Sequence, residues 1–175
     1  MARVRVQLAV SADGFIATDD RSLDWLEPFP AGEFGFSAFM KTIGTIIMGR
    51  ASYDEGAAME PSPFSAIPTF VLTSRPFTPR HPNIKPVSLD NLAPTITELK
   101  QASPKDIWLF GGGQTIAACL ERNLVDTLEL AVIPRLLGRG LPLFTPRAPA
   151  LDALTLVEAK PMTKDVLWLH YSIER

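Results

Sequence analysis

Three consecutive glycines, Gly111 to Gly113, stand between an apolar run and a segment with a helical pattern. The run Ile107 to Phe110 is typical of a buried strand, and the helical spacing begins at Gln114. Glycine permits positive φ angles and a close approach of the backbone to a ligand. The first turn of a helix adds unpaired N–H groups and a partial positive charge. This order predicts a site for a dinucleotide or another phosphorylated ligand, and a purely structural turn is the alternative.

Three other strand-like segments also end in small or polar residues that suit such a ligand. These clusters are Ser11-Ala12-Asp13-Gly14, Gly49-Arg50-Ala51-Ser52 and Thr73-Ser74-Arg75. If the strands are parallel, all of the clusters lie at one carboxyl edge of the sheet, where ligands of open α/β sheets bind. Arginine and hydroxyl groups suit phosphates, and Arg75 directly after two hydroxyls favours NADP over NAD. The alternative for Arg50 and Arg75 is a solvated position in a loop.

Strand-like and helix-like segments alternate through most of the chain, which predicts an α/β layer architecture. Four runs are predicted as strands: Val4–Val10, Thr45–Met48, Thr69–Leu72 and Ile107–Phe110. Three segments with apolar residues at helical spacing are predicted as helices: Glu33–Ile43, Leu92–Gln101 and Gln114–Leu124. Three more strands follow without helices between them: Thr127–Ile133, Leu154–Glu158 and Val166–Ile173. We therefore expect antiparallel C-terminal strands at one edge of the sheet, in a single domain over residues 1–175, with a loop at Pro61–Pro68.

Composition and charge exclude several other classes of protein. The 175 residues are 46% hydrophobic and 21% charged with a net charge of −2, so no basic surface for nucleic acid is expected. No apolar run approaches the ~20 residues of a membrane span. The sequence begins with a strand rather than a signal peptide, so the cytoplasm is the expected compartment. One cysteine, Cys119, and two distant histidines make neither a disulfide nor a zinc site.

The ordered motifs of the chain resemble the dihydrofolate-reductase-like fold. Within that fold they resemble the C-terminal reductase domain of the riboflavin-biosynthesis deaminase-reductases. The matching motifs extend over nearly the whole sequence: Ser11–Ala17, Asp24-Trp25, Ile47–Tyr53, Val71–Arg75, Leu109–Gly113 and Pro134–Phe144. The H-x-E and P-C-x-x-C motifs of zinc deaminases are absent, so the resemblance implies reduction and not deamination. The G-x-G-x-x-G fingerprint of an ordinary Rossmann domain is absent as well.

This resemblance implies a three-layer α/β/α fold that binds NADPH and passes a hydride to a heterocyclic or sugar-derived substrate. In such a protein Gly49, Arg50 and Ser52 would hold phosphates of the cofactor. The adenosine 2′-phosphate would lie beside Thr73, Ser74 and Arg75. The pyrophosphate and the nicotinamide half would contact the glycine turn and the helix that follows it: Gly111, Gly112, Gly113, Gln114 and Thr115.

Two acids are the candidates for catalysis. Asp13 follows the first strand, where it can meet the nicotinamide or a substrate hydroxyl, and its alternative is a turn that hydrogen-bonds its own backbone. Glu33 is placed by the resemblance near the acid of dihydrofolate reductase. The alternative for Glu33, which the sequence favours, is an acid stabilised at a helix N-terminus.

Four residues are candidates for the substrate. Asp24 and Trp25 can wall its pocket, and Arg135 and Arg139 can bind a substrate phosphate. A riboflavin-pathway aminopyrimidine is the expected substrate class; a pterin reductase and a non-catalytic NADPH-binding protein are the alternatives. Relatives of this fold often form homodimers, and the late strands offer a sheet edge or face for that contact.

Overall fold

The computed structural model of the protein describes residues 1–57, 66–146 and 153–174. Ten strands form in these ranges: β1 (Val4–Ser11), β2 (Phe15–Ala17), β3 (Ile43–Gly49), β4 (Thr69–Leu72), β5 (Ile84–Val87), β6 (Asp106–Gly111), β7 (Thr127–Ile133), β8 (Leu141–Pro142), β9 (Leu154–Pro161) and β10 (Leu167–Ile173). The described α-helices are α1 (Phe36–Thr42), α2 (Arg50–Ala57), α3 (Leu92–Ala102) and α4 (Gly113–Leu120). Short 3₁₀ helices lie at Asp24–Leu26, Ala31–Phe34 and Thr163–Asp165. None of the described helices is long and apolar enough to span a bilayer.

Eight of the strands form one sheet in the order β5-β4-β3-β6-β1-β7-β10-β9. β1 pairs in parallel with both β6 and β7, and the pairs β3–β6, β3–β4 and β4–β5 are parallel too. β10 is antiparallel to both of its neighbours. The mostly parallel sheet with an antiparallel C-terminal part is therefore confirmed. One detail differs from the prediction: β7 is parallel to β1, because α4 carries the chain back across the sheet between β6 and β7.

Helices cover both faces of this sheet, which confirms the three-layer arrangement. On the first face, residues of α3 and α4 share a core cluster with Ile107 and Leu109 of β6. On the second face, Phe39 of α1 and Tyr53 of α2 pack in a cluster with Trp108, which points the opposite way from its neighbours in β6. This alternation is the period of two that a strand covered on both sides requires.

Some element boundaries differ from the prediction. The segment Glu33–Ile43 is broken at Gly35, where a φ of +78° separates a 3₁₀ turn from α1. β5 was missed because Pro86 interrupts its strand pattern, which β5 tolerates as the edge strand of the sheet. α2 was missed because residues 50–52 resemble a loop in composition. The loop predicted at Pro61–Pro68 lies mostly outside the described residues.

Candidate active site at the carboxyl edge of the sheet

The predicted clusters lie along one edge of the sheet, at the carboxyl ends of five adjacent parallel strands. The order along this edge is β4, β3, β6, β1 and β7. At about 4.8 Å per strand, the edge extends about 19 Å from the Thr73–Arg75 cluster to Arg135. The glycine turn lies at its centre and Asp13 lies between that turn and Arg135. The shared edge inferred from the sequence is therefore confirmed, and its length and order suit an extended ligand.

The first turns of α2 and α4 meet at the centre of the edge. A Cβ placed on Gly49, just before α2, would lie 2.5 Å from Oγ1 of Thr115 in α4. A Cβ on Gly112, just before α4, would lie 3.9 Å from Oγ of Ser52 in α2. Thr115 donates its backbone N–H to the Gly112 carbonyl, so the amides that precede Thr115 in α4 have no intrahelical acceptor. Two positive helix ends therefore converge on one place, as an anion site requires.

The three glycines of the turn have different surroundings. Gly111 is buried with a φ of +112°, a backbone conformation that L side chains rarely adopt, and its peptide bond to Gly112 is cis. A Cβ on Gly113 would lie 2.5 Å from the carbonyl oxygen of Pro142, so this glycine is required for packing. A Cβ on Gly112 would meet nothing closer than 3.7 Å. Gly112 is therefore the half-buried member of the turn, where a Cβ would make only ordinary van der Waals contacts, with Cδ1 of Ile16 and Oγ of Ser52.

Gln114 and Thr115, which follow Gly113 in the first turn of α4, differ in their exposure to solvent. Gln114 is exposed at the helix end. Thr115 is buried, with its hydroxyl directed at Gly49. Gly113 can therefore reach a ligand only through its backbone amide, whereas the amide of Thr115 is already donated to the Gly112 carbonyl.

The cluster after β4 borders a cavity of about 640 Å³. Thr73, Ser74 and Arg75 line it together with side chains that include Ser88 and Glu98. Oγ1 of Thr73 accepts a hydrogen bond of 3.1 Å from the backbone N–H of Arg75, which orders the turn. Arg75 is exposed, so its guanidinium can reach an anion in this cavity.

Arg50 is more constrained than the sequence suggests. Its Nε lies 2.8 and 2.9 Å from the two carboxylate oxygens of Asp54, one helical turn later. The guanidinium stacks on the ring of Phe77 at 4.9 Å and reaches the carbonyl of Pro76 at 3.4 Å. These contacts hold the guanidinium beside the first turn of α2. A phosphate bound there would interact with a guanidinium that is already paired with the carboxylate of Asp54.

Asp13 links the end of β1 to the distant loop at residues 137 and 138. Its carboxylate accepts hydrogen bonds from Oγ of Ser11 at 2.6 Å, from the amide of Gly138 at 2.7 Å and from the amide of Leu137 at 3.2 Å. The hydrogen bond from the Ser11 hydroxyl holds the pKa of Asp13 below its ordinary value; desolvation opposes this effect, and the amides of Gly138 and Leu137 add to it. Asp13 is therefore ionised at neutral pH and acts as an acceptor.

Glu33 lies in the 3₁₀ helix Ala31–Phe34 and is paired with a residue that sequence reasoning missed. Nζ of Lys164 lies 3.2 Å from Oε1 of Glu33 and donates a hydrogen bond of 2.7 Å to the carbonyl of Pro28. Both side chains of the ion pair are more than 40% exposed. The structure therefore brings Glu33 to Lys164 and not to the glycine turn.

The four substrate candidates are divided between two settings. Arg135 lies 5.7 Å from the ring centre of Phe29 and borders a cavity of about 580 Å³ together with Lys164. Arg139 is 87% exposed and pairs with Asp19 at 2.9 Å, outside the lining of that cavity. The sequence places the two arginines four residues apart, but the loop separates them.

Asp24 and Trp25 begin the 3₁₀ helix Asp24–Leu26, and neither of them lines the second cavity. Asp24 is exposed, whereas Trp25 packs on a cluster that contains Phe29. The Nε1 of Trp25 and the Oε1 of Gln7 are both buried without a hydrogen-bond partner among the described residues. Gln7 was not predicted as a site residue, although a glutamine among the apolar residues of β1 indicates a buried polar group that needs a hydrogen-bond partner.

Comparison with known proteins identifies the family. The model of the RibD C-terminal domain matches residues 2–168. The chain belongs to this family. The uncharacterized protein YwjB of Bacillus subtilis (strain 168) is 34% identical over 139 residues, which cover 78% of this chain and 79% of YwjB. The family resemblance predicted from the motifs is therefore confirmed.

Solved structures agree with this assignment. A "Putative riboflavin biosynthesis protein" from Shewanella sp. PV-4 aligns over the whole of both chains, with a TM-score of 0.87 and 26% identity. The dihydrofolate reductase of Enterococcus faecalis, complexed with NADP(H) and RAB-propyl, covers 99% of this chain and 97% of its own, with a TM-score of 0.68 and 15% identity. The latter shows likeness of fold alone. The chain thus has a dihydrofolate-reductase-like fold and belongs to a family of riboflavin-pathway reductases.

Proposed function

We propose that the protein is an NADPH-dependent oxidoreductase that transfers a hydride to a small heterocyclic or sugar-derived substrate. By its family, the activity it resembles is that of 5-amino-6-(5-phosphoribosylamino)uracil reductase. The observation that carries the proposal is the meeting of two helix N-termini at Gly112, in the middle of an edge that has a hydroxyl- and arginine-lined cavity at one end.

The residues at this edge fit the cofactor. Gly112 is half-buried and carries no side chain, so a pyrophosphate can approach its backbone, and the amides of Gly113 and Gln114 precede the first intrahelical hydrogen bond of α4. Arg50 and Ser52 belong to the first turn of α2, and Oγ of Ser52 lies 3.9 Å from where a Cβ on Gly112 would be. Thr73, Ser74 and Arg75 supply the hydroxyls and the positive charge that a ribose 2′-phosphate requires, and this phosphate separates NADPH from NADH.

When bound, NADPH supplies the hydride, so the tasks of the protein are to orient the reactants and to exclude water. The buried contacts of Gly49 with Thr115 and of Gly113 with Pro142 fix the position of α4 and therefore of its amides. Asp13 holds the loop at Leu137 and Gly138 against the end of β1. Reduction also needs a proton, and water is its source in this proposal, because Asp13 is ionised and Glu33 is paired with Lys164.

The ionised state of Asp13 and the ion pair of Glu33 with Lys164 favour a second candidate function. A protein that binds NADPH without turnover would retain the glycine turn and the Arg75 cavity but would have no free acid near them. A pterin reductase, the third possibility, would need an acid in the role predicted for Glu33, and the ion pair with Lys164 speaks against that role.

Turnover assays separate these functions. Oxidation of NADPH is followed by absorbance with the phosphoribosylamino-pyrimidine substrate and, separately, with dihydrofolate. The proposal expects oxidation with the aminopyrimidine or a related heterocycle and little with dihydrofolate. Binding of NADPH with no oxidation across a panel of such substrates would overturn the reductase function in favour of the non-catalytic one.

A further inference from the structure

Three buried polar atoms lack a hydrogen-bond partner among the residues that the structure describes: Oε1 of Gln7, Nε1 of Trp25 and Nε2 of His170. Folded proteins pair nearly all of their buried polar groups, because a buried donor or acceptor without a partner lowers stability. Gln7 is only 8% exposed, and its Oε1 is fully buried. Such an atom indicates a partner from outside the chain, either an internal water molecule or a bound ligand.

Gln7 and His170 lie on the second face of the sheet. Arg5, two residues before Gln7 in β1, lies over the ring of Phe39, which packs on that face. Gln7 is opposite Glu129 in β7, and Glu129 is opposite His170 in β10. Opposite residues of paired strands share a face of the sheet, so these two atoms without partners belong to one side of the molecule.

Trp25 lies on the same face, in a second hydrophobic cluster. This cluster contains Ala9, which is two residues after Gln7 in β1 and therefore points to the same side. Trp108, in the other cluster of this face, donates its indole N–H to the backbone carbonyl of Gln7 at 3.1 Å. Gln7 therefore lies at the border of the two clusters, and Trp25 belongs to one of them.

The second face is open to solvent beside Gln7. Ala9 is partly exposed although β1 is an interior strand of the sheet, and Ala131, which lies opposite Ala9 in β7, is also small. Ser11 comes next on the same face, about 13 Å from Gln7 along β1, and its hydroxyl donates to Asp13 at the carboxyl edge. The two alanines therefore form a passage from the candidate active site to Gln7, which we call the alanine cleft.

The alanine cleft suits a flat and uncharged ring. Trp25 of one cluster and Phe110 of the other, on the neighbouring strand β6, are half-buried aromatic residues of this face. Aromatic side chains around a few polar groups are the usual lining of a site for a small organic ligand. The carboxylate opposite Gln7, that of Glu129, is already paired with Arg5 at 2.7 Å, which favours a neutral ligand.

We propose that the alanine cleft binds a lactam ring of the substrate. Oε1 of Gln7 accepts a hydrogen bond from a ring N–H, and Nε1 of Trp25 donates one to a carbonyl oxygen. A lactam carries both groups on one planar ring. Gln7 and Trp25 then determine specificity, because an analogue without the N–H would leave Oε1 buried and unpaired. This inference rests on the proposed function, since it names the part of the heterocyclic substrate that the cleft recognises.

Two uracil derivatives test the recognition of the lactam. 6-Aminouracil has ring N–H groups beside its carbonyls, whereas 6-amino-1,3-dimethyluracil has methyl groups on both ring nitrogens. Ligand-observed NMR with the wild-type protein should give a dissociation constant of about 1 mM for 6-aminouracil, since so small a ligand makes few contacts. The dimethyl derivative should bind at least about ten-fold more weakly.

Pterin is the bicyclic lactam in the same experiment. Selective binding of pterin would assign the alanine cleft to a bicyclic substrate, and selective binding of 6-aminouracil would assign it to a monocyclic one. Equal binding of the two uracil derivatives, or binding of no lactam at all, would overturn the proposal.

Gln7→Met tests the carboxamide, because methionine has a similar length and lacks the carboxamide oxygen. The variant should bind 6-aminouracil at least about ten-fold more weakly. Its resistance to denaturant should equal or exceed that of the wild type, since it removes a buried acceptor that has no partner within the chain. Gln101→Met, at an exposed position of α3, is the control and should change neither property. Unchanged binding of 6-aminouracil by Gln7→Met, whatever its stability, would contradict the assignment.

Trp25→Phe is the second variant, since it keeps an aromatic ring and removes the donor. It should weaken the binding of 6-aminouracil about five-fold or more, whereas Trp168→Phe, in the same cluster, should not. Calorimetry with NADPH separates this inference from the proposed function. A wild type that binds NADPH but does not distinguish the two uracil derivatives refutes the lactam site alone. A wild type that distinguishes them without binding NADPH refutes the proposed function and leaves the lactam site in place.

Discussion

The two halves of the carboxyl edge are built in different ways. In the half formed by β4, β3 and β6, close packing of the backbone fixes the positions of the helices that follow the strands. A Cβ added to Gly49 or to Gly113 would lie 2.5 Å from a neighbouring oxygen atom. In the half formed by β1 and β7, position depends on exposed side chains and on contacts between distant residues. Asp13 holds Gly138, and Lys164 holds Glu33.

This difference suits separate functions for the two halves of the edge. A cofactor that is the same throughout a family is served by a rigid site made of backbone and close packing. A substrate that differs between relatives is served by loops whose side chains can change without disturbing the core. We therefore expect substitutions at Gly112 and Arg75 to change nucleotide binding, and substitutions at Asp13 and Glu33 to have smaller effects, on stability and on turnover.

The largest effect is expected from Gly112→Asp, which should lower NADPH affinity at least about a hundred-fold, or about 2.7 kcal/mol. The new carboxylate would stand beside Ser52 and repel the phosphates. The fold should survive, since a Cβ here makes only ordinary van der Waals contacts, the nearest with Ile16 at 3.7 Å. Titration calorimetry gives the affinity, and Gly32→Asp is the control, because a Cβ there meets nothing within 4 Å. Wild-type affinity in Gly112→Asp would refute the position of the site.

Gly113→Ala should destabilise the protein by about 1–3 kcal/mol, because its Cβ would collide with the carbonyl oxygens of Pro142 and Leu143. Gly112→Ala should change stability far less. Denaturant unfolding of the two variants measures the difference. Equal stabilities would mean that the neighbouring glycines do not have the separate roles described above.

Arg75→Ala should reduce the preference for NADPH over NADH about ten-fold, which is the value of roughly one charge-assisted contact. The measurement is the ratio of the two dissociation constants. Lys85→Ala removes the same charge from an exposed position on β5 outside the cavity lining and should leave the ratio unchanged. If both variants give the same ratio as the wild type, the 2′-phosphate lies elsewhere.

Asp13→Asn should produce a smaller, pH-dependent loss of stability. Because the hydrogen bonds lower the pKa of Asp13 in the folded state, its contribution is present above the unfolded pKa of about 4 and is lost as the pH falls through the lower folded value. Melting temperatures of wild type and variant should therefore differ at pH 6 and converge as the pH falls below about 4. Asp24→Asn controls for the loss of an exposed acid, and a pH-independent difference would contradict this explanation.

The smallest effect is expected from Glu33→Gln, which should leave kcat within about two-fold of the wild type. Glu33 is held by Lys164 at the surface, and no hydrogen bond or ion pair among the described residues joins it to the glycine turn. Steady-state kinetics with the active substrate is the measurement. A loss of about a hundred-fold or more would instead identify Glu33 as the proton donor and favour the pterin-reductase alternative.

The same contrast explains how much could be predicted from the sequence. The glycine turn, the clusters that follow the parallel strands and the buried strands are local patterns, and they predicted the half of the edge formed by β4, β3 and β6. Lys164 was not predictable, because its partner Glu33 is 131 residues away. Arg135 and Arg139 are close in sequence, but the loop directs one to Phe29 and the other to Asp19.

Some strands and their pairing could not be predicted from the sequence, because tertiary packing outweighs local preference there. Pro86 conceals β5, which tolerates proline because it lies at the edge of the sheet. The parallel pairing of β7 with β1 depends on the return of the chain through α4, which the strand pattern of Thr127–Ile133 does not encode.

A pair of calorimetric titrations of the wild-type protein, one with NADPH and one with NADH, tests directly whether this edge binds a dinucleotide. We expect a micromolar dissociation constant for NADPH and binding of NADH at least about ten-fold weaker. Binding of neither nucleotide would contradict it, and the glycine turn would then be a structural connection between β6 and α4.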